Sequence, residues 1–235
     1  MDCHGEQNFP ENFMKLSIQL PALVRVVRLH TMFSVTDPPY NKHLYIRENF
    51  IAKLLLKTKP ELVKQADNNR RTPLHFASTL GFHELVAMLL ELDYSPAYSF
   101  DIDGSAPIHM SVHFGRIRVI KELLRYCPDL KDLVDRKGQN ILHMAVECQQ
   151  VGVIRYILQE KKLESLINGI DKDGNTPLHC ASIKSYPYMV NLLVRDKRVD
   201  VSTLNRKRWT ALDIARMQSY ESKEDHQVCS TVSLI

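Results

Sequence analysis

The segment RTPLHFASTL, residues 71–80, decides how the rest of the chain reads. Taken alone it offers His75 as a catalytic group, a metal ligand or a part of the fold. The chain then repeats the phrase as SAPIHMSVHF (105–114), QNILHMAVEC (139–148), NTPLHCASIK (175–184) and WTALDIARMQ (209–218). His75, His109, His143 and His179 stand 34, 34 and 36 residues apart, and Asp213 follows His179 by 34. Asp67, Asp101, Asp135, Asp171 and Asn205 precede them with the same separations. A period of this length marks a solenoid, in which neighbouring units complete one another's hydrophobic cores.

Each period has the same internal order. A polar turn comes first, where Asp accepts local backbone hydrogen bonds and Gly104, Gly138 and Gly174 are suited to positive φ. A short helix is predicted to start near Thr72, Thr176 and Thr210, with Pro73, Pro107 and Pro177 in the first turn, where a missing N–H costs little. Gly81 and Gly115 end it. A second helix follows in HELVAMLLEL (83–92), IRVIKELLRY (117–126), VGVIRYILQE (151–160) and YPYMVNLLVR (186–195), with bulky residues at three-to-four spacing.

The ends of the array are irregular. The connection QEKKLESLINGI (159–170) is two residues longer than its counterparts and accounts for the spacing of 36. Upstream, ENFIAKLLLKTKPELVKQAD (48–67) aligns with the second helix and outgoing loop of a unit, although TDPPYNKHLYI (36–46) matches a first helix poorly. The expected organisation is an N-terminal leader or capping segment at 1–32 and a repeat domain at 33–220. Within it lie a degenerate unit at 33–66, full units at 67–100, 101–134, 135–170 and 171–204, and a partial unit at 205–220, with a flexible tail at 221–235. For 14–33 a capping helix, a disordered leader and an interfacial helix on a membrane are open alternatives.

Composition narrows the function classes. Lys plus Arg exceed Asp plus Glu by only 31 to 27 in 235 residues, a weak warrant for nucleic acid. Five cysteines without a CxxC pair argue against a disulfide framework and a closed zinc module. No uncharged stretch approaches the roughly 20 apolar residues of a membrane-crossing helix. There is no GxGxxG fingerprint, no GxxxxGK[ST] loop and no GxSxG elbow, so no catalytic residue, cofactor site or small-molecule substrate is assigned. One histidine per layer cannot gather around a single ion, and the pair His109 and His113 lacks the further ligands of an HExxH-type site, so no metal site is assigned either.

The residues that vary while the frame repeats are the candidates for binding a protein partner. At the turn tips they are Arg70, Asp103, Arg136, Lys137, Lys172, Asp173, Arg206 and Arg208, each equally explicable as a solvated charge. On the inner face of the first helices they are Phe76, Thr79, Met110, His113, Met144, Glu147, Ile183 and Lys184. Trp209 either seals the last interface or anchors a partner.

The run TPLH…A…G, with the Asp/Gly turns and two helices per period, resembles the ankyrin repeat over about residues 67–219 and more weakly back to 33. The resemblance implies an all-α ankyrin-repeat solenoid of antiparallel helix pairs with projecting turns, binding proteins by the turns and the concave helix face. The segments KPELVKQAD, CPDLKDLVDRKGQNILHMAV and DKDGNTPLHCAS also resemble plant ankyrin proteins related to the accelerated cell death family. Those proteins place a helical membrane domain with a Pro-Gly-Gly segment after the repeats, and none follows Ala215. This implies a scaffold in plant defence or stress signalling, in the cytoplasm or at the cytoplasmic face of the plasma membrane. The alternative is a membrane-associated regulatory module whose spanning part is absent from the chain.

Overall fold

Helix after helix begins where the sequence places a proline or apolar residue behind a polar turn. The computed structural model describes residues 56–221; the leader at 1–32, the tail beyond 221 and most of the degenerate unit at 33–66 lie outside them. The chain divides into two compact units, residues 1–130 and 131–235.

In the first unit, α1 (Pro73–Leu80) and α2 (His83–Leu92) form one pair and α3 (Pro107–His113) and α4 (Ile117–Tyr126) the next. α1 packs against α3 and α2 against α4, so like helices stack on like. Leu74, Ala77, Leu85, Val86 and Leu89 of the first pair are buried, as are Ile108, Val112, Val119, Ile120 and Leu123 of the second. The alignment of 48–67 with an outgoing loop shows at Pro60 and Pro128: both open 3-10 turns, Pro60–Lys64 and Pro128–Asp132, with Leu62 and Leu130 buried.

In the second unit, α5 (Ile141–Glu147) pairs with α6 (Val151–Gln159), α7 (Pro177–Ile183) pairs with α8 (Pro187–Val194), and α9 (Ala211–Glu221) packs on α7. The longer connection is taken up by a 3-10 turn, Lys161–Leu166, which buries Leu163 and Leu166. The doubled aliphatic positions on the second helices are equal only in α2, where Leu89 and Leu90 are both buried. Leu123, Ile157 and Leu193 are buried, whereas their neighbours Leu124, Leu158 and Val194 are only half-buried. Among the described residues there is no β-strand.

Candidate protein-binding surface

The polar residue at the start of each turn has one job in common throughout. Asp67 Oδ1 accepts from the amides of Asn69 and Arg71 at 2.9 and 2.8 Å, and Asp101, Asp135 and Asp171 repeat the pattern. Asn205 does the same with its amide oxygen for Lys207 and Trp209. These side chains are spent on folding their own loops into fingers. Fingers are then tied side by side through backbone: the Ile102 amide donates to the Asn69 carbonyl, Lys172 to Lys137 and Arg206 to Asp173, each at 3.0 Å.

The histidines tie finger to helix. Thr72 donates to Nδ1 of His75 from both its amide and its hydroxyl, at 3.1 and 2.9 Å, while Nε2 donates to the Ser105 carbonyl of the next unit at 3.1 Å. A carbonyl only accepts, so the proton sits on Nε2 and the ring is neutral. His179 has the same arrangement with Thr176 and the Trp209 carbonyl. His143 reaches the Asn175 carbonyl at 2.8 Å from a helix capped by Asn140, whose oxygen accepts from the Leu142 and His143 amides. Burial holds the pKa of His75, His143 and His179 below the ordinary imidazole value.

Asp213 explains its own substitution. Its carboxylate accepts from the amide and hydroxyl of Thr210 at 2.9 and 2.7 Å, which is the acceptor half of the histidine's role. Those bonds lower its pKa, and among the described residues no following turn calls for the donor half.

With the frame accounted for, the candidate residues sort by what they still offer. In the first unit Arg70 is exposed, whereas Asp103 and Asp101 both lie 3.3 Å from the Arg71 guanidinium, so this pair of fingertips is largely neutralised. On the inner helices Phe76 and Met110 are half-buried at equivalent positions. The Thr79 hydroxyl is committed to the His75 carbonyl, and His113 stacks edge-on against Phe114, with burial lowering its pKa.

In the second unit Met144 is half-buried, but Cys180, its equivalent on α7, is buried. Glu147 takes a hydrogen bond from Gln139 at 2.8 Å and an ion pair from Lys137 at 3.5 Å, joining a fingertip to α5. Ile183 and Lys184 are exposed at the end of α7. Arg136, Lys172, Asp173, Arg206 and Arg208 are exposed on the fingers, and Lys172 Nζ reaches the Arg136 carbonyl. Trp209 is half-buried, with Lys207 Nζ 5.3 Å from its ring centroid, while its carbonyl serves His179.

Two features escaped the sequence. Arg70 and Arg208 hold the left-handed position, φ 60° and 61°, that Gly104, Gly138 and Gly174 fill in the inner fingers. Val134, Ile170 and Leu204 stand exposed immediately before Asp135, Asp171 and Asn205, where a hydrophobic pattern suggests core. Their place one residue before each finger was the available signal.

Two of the described cysteines are poor candidates for chemistry. Cys127 and Cys180 are buried, and burial raises both thiol pKa values. Among the described residues no group of three or more His, Cys, Asp or Glu side chains is placed to hold a metal ion, and no helix is long and apolar enough to cross a membrane.

Helix pairs, fingers tied by backbone bonds and histidines at the finger-to-helix joints, replaced by Asp213 at the last, define a repeat protein whose exposed side chains sit on a fixed frame. The model for ankyrin repeats in three copies matches residues 95–165, and the model for a single ankyrin repeat matches 69–97 and 173–206, together more than half of the sequence. The chain belongs to the ankyrin-repeat family, and its fold class is the all-α ankyrin-repeat solenoid. It is 28% identical over 186 residues to the probable 26S proteasome regulatory subunit p28 of Saccharomyces cerevisiae, across 76% of this chain and 78% of that one. It is 27% identical to the human transient receptor potential cation channel subfamily A member 1, across 80% of this chain, and 30% identical to the rat nuclear factor NF-kappa-B p105 subunit, across 60%. It spans only 15% of the length of each of those two proteins. The crystal structure of the ankyrin repeat domain of Bcl-3, a member of the IkappaB protein family, superposes with a TM-score of 0.66 at 21% identity, over 90% of this chain and 86% of that one.

Proposed function

We propose that this chain is a non-enzymatic scaffold that binds another protein through its fingertips and the inner face of its first helices. One observation carries the reading: equivalent positions divide into a constant set consumed by the fold and a varied set left exposed. The histidines and the turn acids spend polar atoms on backbone and Thr72 and Thr176 spend their hydroxyls on the histidine rings, whereas Phe76, Met110, Arg206 and Trp209 vary from unit to unit and keep accessible surface. The relatives named as a proteasome regulatory subunit and a nuclear factor NF-kappa-B subunit, each a subunit of an assembly, support such a role. The segments resembling plant ankyrin proteins support a place in defence or stress signalling.

Affinity capture with the folded chain tests the scaffold reading, repeated with charge reversals at Arg136, Lys172 and Arg206 and, separately, with Phe76→Ala and Met110→Ala. Loss of a specific captured protein in either set is the expected result. An identical captured set from every folded variant would exclude both surfaces.

A further inference from the structure

The scaffold reading leaves open what kind of segment the second unit holds, and its three fingers answer in chemical terms. Each finger begins with an exposed aliphatic side chain: Val134 at 46% exposure, Ile170 at 61% and Leu204 at 53%. Three such side chains at one repeated position offer apolar surface at the base of successive fingers. The backbone bonds from Lys172 to Lys137 and from Arg206 to Asp173 hold the fingers side by side, so the three aliphatic groups form a row with one member per layer.

The charge along that row is one-sided. Asp135 and Asp171 are half-buried and each turns one carboxylate oxygen, Oδ1, inward to the amides of its own loop. What the tips present is Arg136 and Lys137, then Lys172 with Asp173, then Arg206, Lys207 and Arg208. Lys137 is paired with Glu147, but among the described residues Arg206 and Arg208 have no carboxylate partner. Arg208 is also held at φ 61°, a conformation that glycine fills in the two preceding fingers, so the charged side chain stands at a position where the backbone disfavours it.

We propose that the fingers of the second unit bind an extended acidic segment of a partner protein, with aliphatic residues spaced about three apart and carboxylates between them. The inference rests on the scaffold reading. Carboxylates match the basic tips, and aliphatic side chains match the row beneath them. Packed helices lie about 8–10 Å apart, close to the rise of about 9 Å for three residues of polyproline II backbone, which returns every third side chain to the same face. A nucleic acid fits less well, because the row is aliphatic where stacking needs aromatic rings and Asp173 faces any phosphate at its middle.

The test uses the full chain and a fluorescein-labelled synthetic peptide with Leu at every third position and Asp or Glu elsewhere. Its controls are the scrambled peptide, an all-acidic peptide with Ser for Leu, phosphatidylserine vesicles and a single-stranded DNA. Fluorescence anisotropy is expected to show binding of the patterned peptide in preference to every control. Arg206→Glu, Ile170→Ser and Leu204→Ser should each weaken it by about tenfold or more. Arg208→Gly removes a charge while relieving the backbone, so it should weaken binding without loss of fold. Equal binding to these variants, equal binding of the scrambled or Leu-free peptide, or preference for vesicles or DNA would overturn the proposal. If the fingertip variants bind like the parent chain while Phe76→Ala and Met110→Ala lose a captured protein, the scaffold reading stands and this one falls.

Discussion

Nδ1 of His75 and of His179 works as an acceptor, and protonation destroys that role. In each ring Thr donates to Nδ1 while Nε2 donates to a carbonyl of the next unit, so an imidazolium would set an N–H against the Thr amide. Desolvation lowers both pKa values against the ordinary 6.5; around His75, Asp101 and Asp67 oppose the shift and Arg71 supports it. As pH falls through 6.5 the unfolded chain therefore takes up protons before the folded one. Stability should be full above that pH and decline below it, by up to about 1.4 kcal/mol per pH unit for each ring. Urea unfolding between pH 7 and pH 5 checks this, and a flat midpoint would count against neutral, buried rings. Arg208 gives a second prediction. Replacing it with Gly releases a left-handed side-chain conformation, and thermal unfolding should show a gain of about 0.5–1 kcal/mol.

At the scale of the finger and its helix, close approach restricts what each turn tolerates. A Cβ on Gly174 would lie 2.9 Å from the Arg206 backbone nitrogen, at φ +76°. Gly174→Ala therefore strains its own turn and pushes on the next finger, with an expected loss of about 2 kcal/mol or more in chemical denaturation. His179→Ala removes the tie to the Trp209 carbonyl and should raise hydrogen exchange across 205–218 more than in α5 and α6. Helix starts and turn acids were legible in the sequence because each rests on local chemistry repeated at a fixed period. The pairing of Glu147 with Lys137 and Gln139 was not, since it depends on a finger folding over α5. The left-handed Arg70 and Arg208 were hidden for a related reason: residue type suggested ordinary backbone, and only the equivalence of the fingers placed them at the glycine position.

Across the molecule, stability should spread through contacts between successive repeats within a unit. Leu142 and Leu178 are buried on α5 and α7, which pack together, and α7 also carries α9. Leu142→Ala should cost about 2–5 kcal/mol and loosen α7 along with α5 by hydrogen exchange, whereas an effect confined to α5 would argue against coupled repeats. Fold and family were readable at this scale because periodicity is a property of the whole sequence. The partner surface was readable only in outline. Exposure separates Ile170 and Leu204 from the core aliphatics they resemble, and exposure depends on packing.

The central claim is that a constant frame and a varied surface do separate work in this chain. Parallel measurement of thermal unfolding and of affinity for a captured protein tests it directly, with His179→Ala and Leu178→Ala as frame variants and Phe76→Ala, Met110→Ala and Arg206→Glu as surface variants. The expected result is that frame variants lose stability and binding together, while at least one surface variant loses binding at an unchanged melting temperature. Retention of full affinity by every folded surface variant would contradict it.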